Sequence, residues 1–190
     1  MPQENLRSIF RREYRLQFAS EFDRVSAVQG KAKANRRSGC PVSISLEMFG
    51  DHWSLLIIRD LMVRGLQTFK EFQESGEGIA TNILADRLKK LEATGIITAE
   101  AVERDRRRAN YRLTEKGIDL APILLELLIW GARHEKSGLP CDLIANLAKN
   151  REEVLGEVRR RWRERDPTPL LPKFGDGGVD LHSARTRREA

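Results

Sequence analysis

Cysteine is nearly missing from this chain. Cys40 and Cys141 are the only two in 190 residues. Their spacing fits no metal-ligand pattern, and two thiols cannot staple a disulfide framework. Histidine is almost as scarce, with His52, His134 and His182 alone. A metal centre or a bound cofactor is therefore not expected. No His–Asp or His–Asn arrangement accompanies Cys40, so a thiol enzyme is not expected either. Long apolar runs are also lacking: none approaches the ~18 residues of a membrane span. Near the start, Arg7, Arg11, Arg12, Glu13 and Arg15 interrupt any apolar stretch that could serve as a signal peptide. These absences predict a soluble cytoplasmic protein with no membrane partner.

What the chain does have is charge. Charged residues make up 33% of it and apolar residues 40%, with a formal charge of +6 and a pI of about 9.6. The length suits one domain with extensions. The basic balance attracts polyanions without choosing among DNA, RNA and a membrane surface.

Composition divides the chain into four parts. Residues 1–36 form a basic extension in which Phe10, Tyr14, Phe18 and Phe22 recur at a helical interval. Two readings stand for it: a partly helical extension, or a stretch upstream of the native start. Residues 37–136 carry the periodic apolar segments. Residues 137–166 hold a further helix, expected over Asp142–Arg165, with an arginine run at its end. Residues 167–190 are rich in proline, glycine and charge and predict a disordered tail.

Within residues 37–136, Pro41 suits the start of a short helix that ends at Gly50. Asp51 can cap a second helix, apolar almost all round, that runs to Gly65 and is the expected buried centre. Thr68 can cap a third helix with Phe69 and Phe72 facing inward. After Gly76-Glu-Gly78 comes a helix over Thr81–Thr94. Its Leu84, Leu88 and Leu91 share one face, while Asn82, Ala85, Asp86 and Lys89 share the other. Gly95 stops it. Helix, short turn and exposed cationic helix make a helix-turn-helix. Two strands, from Ile96 to Val102 and from Asn110 to Leu113, form a hairpin around Arg104-Asp-Arg-Arg-Arg108. Thr114 then caps a long helix to about His134, with Pro122 expected to kink it. The fold class is mainly α with a small β-hairpin: a winged helix-turn-helix with a long dimerisation helix and an additional C-terminal helix.

Several short patterns occur here in a fixed order: Cys40-Pro41, His52-Trp53, Thr68-Phe69-Lys-Glu-Phe72 and Gly78-Ile79-Ala80. They are followed by Leu84-x3-Leu88-x2-Leu91-Glu92-x2-Gly95-Ile96, Tyr111-x-Leu113-Thr114-x2-Gly117 and Pro122-x7-Trp130-Gly131. Taken together, from about Gly39 to Glu135, the chain resembles the HxlR family of bacterial winged-helix regulators. The resemblance implies a homodimer that binds operator DNA and controls neighbouring genes, often in response to oxidants, electrophiles or small metabolites. Three positions depart from the family pattern. His52 stands where a lysine is usual, Ala80 where a capping serine is common, and a proline before the second wing strand is missing.

The expected function is a sequence-specific transcriptional regulator, more a repressor than an activator. The alternative is a winged-helix protein-interaction module with weak or no specific DNA binding. Thr81, Asn82 and Ala85 lie nearest the end of the reading helix that enters a major groove. Lys89 and Lys90 are candidates for phosphate contacts, and Arg104, Arg106, Arg107 and Arg108 for phosphate or minor-groove contacts; phosphate contacts supply affinity and register. Ile118, Leu124, Leu125, Leu128 and Trp130 are the expected dimer residues. For Cys40 two readings stand. It is either an inert small residue or a thiolate favoured by the helix start and by Arg36 and Arg37. The resemblance adds that a cysteine at this place is a sensor in several family members.

Overall fold

The computed structural model describes residues 38–102, 105–170, 174–175 and 178–179; for residues 102, 105–108, 174–175 and 178–179 only the backbone is described. The expected N-terminal extension therefore lies outside the described residues. Two compact units divide within the first described helix, at residue 44.

That helix, α1 (Pro41–Phe49), starts at the expected proline, and the Cys40 carbonyl accepts the Ile44 N–H at 3.0 Å. Asp51 caps α2 (His52–Arg59), accepting from the Ser54 N–H at 3.0 Å and from its hydroxyl at 2.7 Å. The α-helical part is shorter than expected. From Asp60 to Arg64 the chain widens into a π-helical turn that closes at Gly65. This turn also corrects the expectation of an apolar centre, because it buries Asp60 and Arg64. Arg59 donates to Asp60 at 2.7 Å and to Glu77 at 2.9 Å, and Arg64 pairs with Asp60 at 3.2 Å. The charges are admitted because each has an opposite neighbour. Burial pushes the Asp60 carboxyl up, against the pull of Arg59 and Arg64.

Helix α3 (Phe69–Gln73) opens on a capping box. Thr68 Oγ1 accepts the Glu71 N–H, and the Glu71 carboxylate accepts the Thr68 N–H. Helix α4 (Thr81–Ala93) buries Leu84, Leu88 and Leu91. It ends with two reciprocal bonds, Ile96 N–H to the Leu91 carbonyl and Gly95 N–H to the Glu92 carbonyl, both 2.9 Å. Gly95 takes a φ of 70° there, which a side chain would resist.

Strands β1 (Ile97–Val102) and β2 (Asp105–Leu113) pair antiparallel from Ile97↔Leu113 to Ala101↔Ala109, and the register then shifts to Val102↔Asp105. The second strand thus starts well before the expected Asn110. The arginine segment expected as a turn lies within this strand, with Arg106, Arg107 and Arg108 falling in the register shift between the Ala101↔Ala109 and Val102↔Asp105 pairs. At the hairpin base, Thr114 caps α5 (Glu115–Ile118), accepting the Gly117 N–H at 3.1 Å.

One expected helix is two. The chain breaks at Asp119–Leu120, and α6 (Ala121–His134) starts afresh with Pro122 in its first turn. No kink follows, because a proline there gives up only an N–H that has no intrahelical partner. The expected Asp142–Arg165 helix also divides, into α7 (Cys141–Lys149) and α8 (Arg151–Glu164), at Asn150 with ψ of 39°. Phe174–Gly175 pairs with Gly178–Val179 as a two-residue ladder inside the segment expected to be a disordered tail. Ile58, Phe72, Leu84, Leu91, Ile96, Ile97 and Ile118 are almost fully enclosed and form the core beneath α4 and the hairpin. Each such side chain contributes roughly 1.5–3 kcal/mol by leaving water.

Candidate nucleic-acid interface

Burying one leucine face of α4 leaves the opposite face in solvent. Thr81, Asn82, Ala85, Asp86 and Lys89 are all exposed. Ala80, ahead of the helix, is extended (φ −69°, ψ 143°) and makes no side-chain cap. The departure from serine is thus a missing bond, and Thr81 does not replace it: its hydroxyl accepts instead from Gln73 Nε2 at 3.3 Å. That contact ties the end of α3 to the start of α4.

The flank of α4 is held by a residue that sequence reading assigned only to capping. Besides Ser54, the Asp51 carboxylate accepts from Arg87 Nε at 2.8 Å and Lys90 Nζ at 3.4 Å. Burial alone would raise the Asp51 carboxyl. The bonds from Ser54 and Arg87 outweigh it and hold the carboxyl at about 2. Lys90 is consequently half-buried and paired within the chain, unlike the exposed Lys89. Asp86 pairs with Arg87, which answers its charge on the exposed face of α4. The signal for Arg87 was available in the sequence, three residues after Leu84 and beside the buried stripe. Its partner Asp51 is too distant along the chain to be inferred.

The hairpin is fastened to the same turn. The Tyr111 N–H donates to the Gln67 carbonyl at 2.7 Å, and Thr68 forms a bridge with Asn110. The cap of α3 and the base of the hairpin are therefore one joint. Arg106, Arg107 and Arg108 lie on β2, but their side chains are outside the described residues, as is Arg104 altogether.

The other expected site residues separate by exposure. Ile118 and Leu125 are buried inside the chain, and Leu124 and Leu128 pack against its clusters. The outward face of α6 instead carries Ile123, Leu127 and Trp130, at 44%, 48% and 59% exposure. Expected dimer residues and core residues had been mixed because the helix is aliphatic on both faces. Trp130 stacks on His134 with ring centroids 5.1 Å apart. Cys40 is exposed directly ahead of α1, and its N–H donates to Ser38 Oγ at 3.0 Å. Cys141 is also exposed, at the first position of α7. Among the described residues no group of three or more His, Cys, Asp or Glu could hold a metal, and no helix is long and apolar enough to cross a membrane.

A helix-turn-helix with a bare polar edge on its second helix, joined to an antiparallel hairpin, defines a winged helix-turn-helix protein. Comparison narrows the class. The family described as HxlR-like helix-turn-helix matches residues 48–138. The relative YybR of Bacillus subtilis strain 168, an uncharacterised helix-turn-helix-type transcriptional regulator, is 34% identical over 95 residues, covering 50% of this chain and 75% of its own length. YdeP of the same strain, described likewise, is 31% identical over 97 residues, 51% of this chain and 75% of its own. The chain belongs to the HxlR-like family of helix-turn-helix transcriptional regulators. Among solved structures, the redox regulator HypR in its oxidised form is 32% identical, covering 51% of this chain and 99% of that one, with a TM-score of 0.46. The reduced transcriptional regulator YodB of B. subtilis is 33% identical over 51% of this chain and 95% of that one, with a TM-score of 0.43.

Proposed function

We propose that this protein is a cytoplasmic, homodimeric regulator that binds an operator near its own gene and represses transcription. The observation that carries this reading is the polar edge of α4. Thr81, Asn82, Ala85 and Lys89 stand in solvent while the leucines behind them are locked in the core. Asn82 can pair with an adenine edge, and Lys89 can reach a phosphate. The arginines of β2 contact the backbone beside that groove and set register without reading sequence. Ile123, Leu127 and Trp130 follow one stripe of α6, and a second copy is the economical cover for that apolar surface. Two-fold symmetry then spaces the half-sites by about one helical turn or a multiple of it. The exposed Cys40 supports a thiol-based response: a peroxide-type oxidant would take it to a sulfenic acid, which condenses with another thiol to a disulfide and releases water, while an electrophile would bond to the thiolate directly. Catalysis has no place in this reading.

The test is fluorescence anisotropy of the reduced protein on DNA upstream of its gene, against scrambled DNA, across a salt series. Selective binding with a steep salt slope is expected. Equal affinity for both DNAs at every salt concentration would sink the operator reading and favour a protein-interaction module.

A further inference from the structure

Beyond the residues matched by the family, α7 and α8 pack on α6 and on each other and wall a partly open cavity of about 520 Å³. Its walls are aliphatic, built chiefly from Leu55, Leu124, Leu128, Leu147, Val154 and Leu155. Arg59 and Glu77 are the charged residues that line it, and they bond each other at 2.9 Å. A charged guest would thus leave water without gaining an unsatisfied partner. A packed interior leaves few voids larger than a water molecule, and this volume falls within the range of small-molecule sites.

The helix that walls the cavity also grips the wing. Val154, Leu155 and Val158 of α8 line the space. One turn further on, the Trp162 indole N–H donates to the Leu113 carbonyl at 2.7 Å. Arg112 donates to the Trp162 carbonyl and lies over its ring, 5.3 Å from the centroid. Arg165 pairs with Glu100 at 3.1 Å. One helix therefore lines the cavity with Val154, Leu155 and Val158, while Trp162 in its last turn and Arg165 just past its end hold the two strands of the hairpin.

We propose that this cavity binds a small, uncharged, predominantly apolar molecule, and that α8 transmits its occupancy to the wing. The consequence for DNA rests on the operator reading; the binding and the movement of α8 do not.

The probe is N-phenyl-1-naphthylamine, a neutral apolar fluorophore, titrated into the full-length protein. One saturable site per chain is expected. Gly131 lines the cavity, and a Cβ added there meets nothing within 4 Å. Gly131→Phe should fill the space and weaken binding about tenfold or more by steric exclusion, without lowering the melting temperature. Ala132→Leu, also on the lining, is the second variant should the first misfold. Absence of saturable binding, or unchanged affinity in the variants, overturns the proposal. So does binding that emerges only in a Trp130→Asp monomer, which would assign the cavity to a second copy.

For transmission, the Trp162 indole N–H resonance should shift on saturation, identified by its loss in Trp162→Phe. An unmoved resonance overturns the α8 route. Operator affinity should change by about 5–150-fold. A protein that ignores operator DNA at all probe concentrations, yet binds the probe and shifts Trp162, refutes the operator reading and leaves the cavity assignment standing.

Discussion

Asp51 serves two helices at once. Its carboxylate caps α2 through Ser54 and holds the flank of α4 through Arg87 and Lys90. Asparagine caps nearly as well as aspartate but carries no charge, so Asp51→Asn isolates the ionic part. Because the pairs are partly exposed, the loss at neutral pH should be about 0.2–1 kcal/mol. The folded carboxyl sits at about 2, below the ordinary 3.8. Its contribution is therefore complete above the unfolded value and fades as pH falls toward 2. Urea unfolding of both proteins should show a constant gap down to about pH 4 and a narrowing one below it; a gap that persists unchanged to about pH 3 contradicts this. Ala80 offers the opposite opportunity. Its backbone already has cap geometry without a cap bond. Ala80→Ser should raise stability by about 1 kcal/mol, and an unchanged urea midpoint would count against that geometry.

At the scale of elements, the joint between the hairpin base and α5 depends on a close approach. A Cβ at Gly117 would meet the Ile96 carbonyl oxygen at 2.2 Å, a backbone atom that cannot turn aside. Gly117→Ala should therefore separate α5 from the hairpin base and cost about 1–3 kcal/mol. A wild-type unfolding midpoint would show that the two elements yield freely. The same tightness explains why Thr114 bonds in both directions, accepting from Gly117 and donating to the Gly95 and Ile96 carbonyls. Helix α5 is only a four-residue turn, so its position is set by these contacts and not by its own propensity.

For the whole molecule, the proposed function makes affinity for DNA depend on pairing of two copies. Lys89 is exposed and forms no ion pair among the described residues. Lys89→Ala should weaken binding to operator and scrambled DNA alike and lower the salt slope by about two units per dimer, one for each copy. A loss confined to the operator would move Lys89 from backbone contact to base reading. Trp130→Asp places a charge on the exposed stripe of α6 and should give a monomer in sedimentation velocity. A dimer that survives this change would place the contact elsewhere.

The sequence by itself determined the local grammar. Pro41 begins a helix, Thr68 and Thr114 cap helices, Gly95 ends one, and Leu84, Leu88 and Leu91 mark the buried side of the reading helix. Those outcomes depend on dihedral limits and helical spacing, which neighbouring residues set among themselves. Tertiary structure alone decided which aliphatic face of α6 is core and which is surface, since Leu125 and Leu127 have the same chemistry. It also decided that Asp60 and Arg64 are buried, because Arg59 and Arg64 answer the Asp60 carboxylate while Glu77, across the turn, answers the two arginines. It joined Asp51 to Arg87 and set Trp162 against the Leu113 carbonyl. Such pairs are distant along the chain, and their energy is gained only after the intervening elements have closed on a common core.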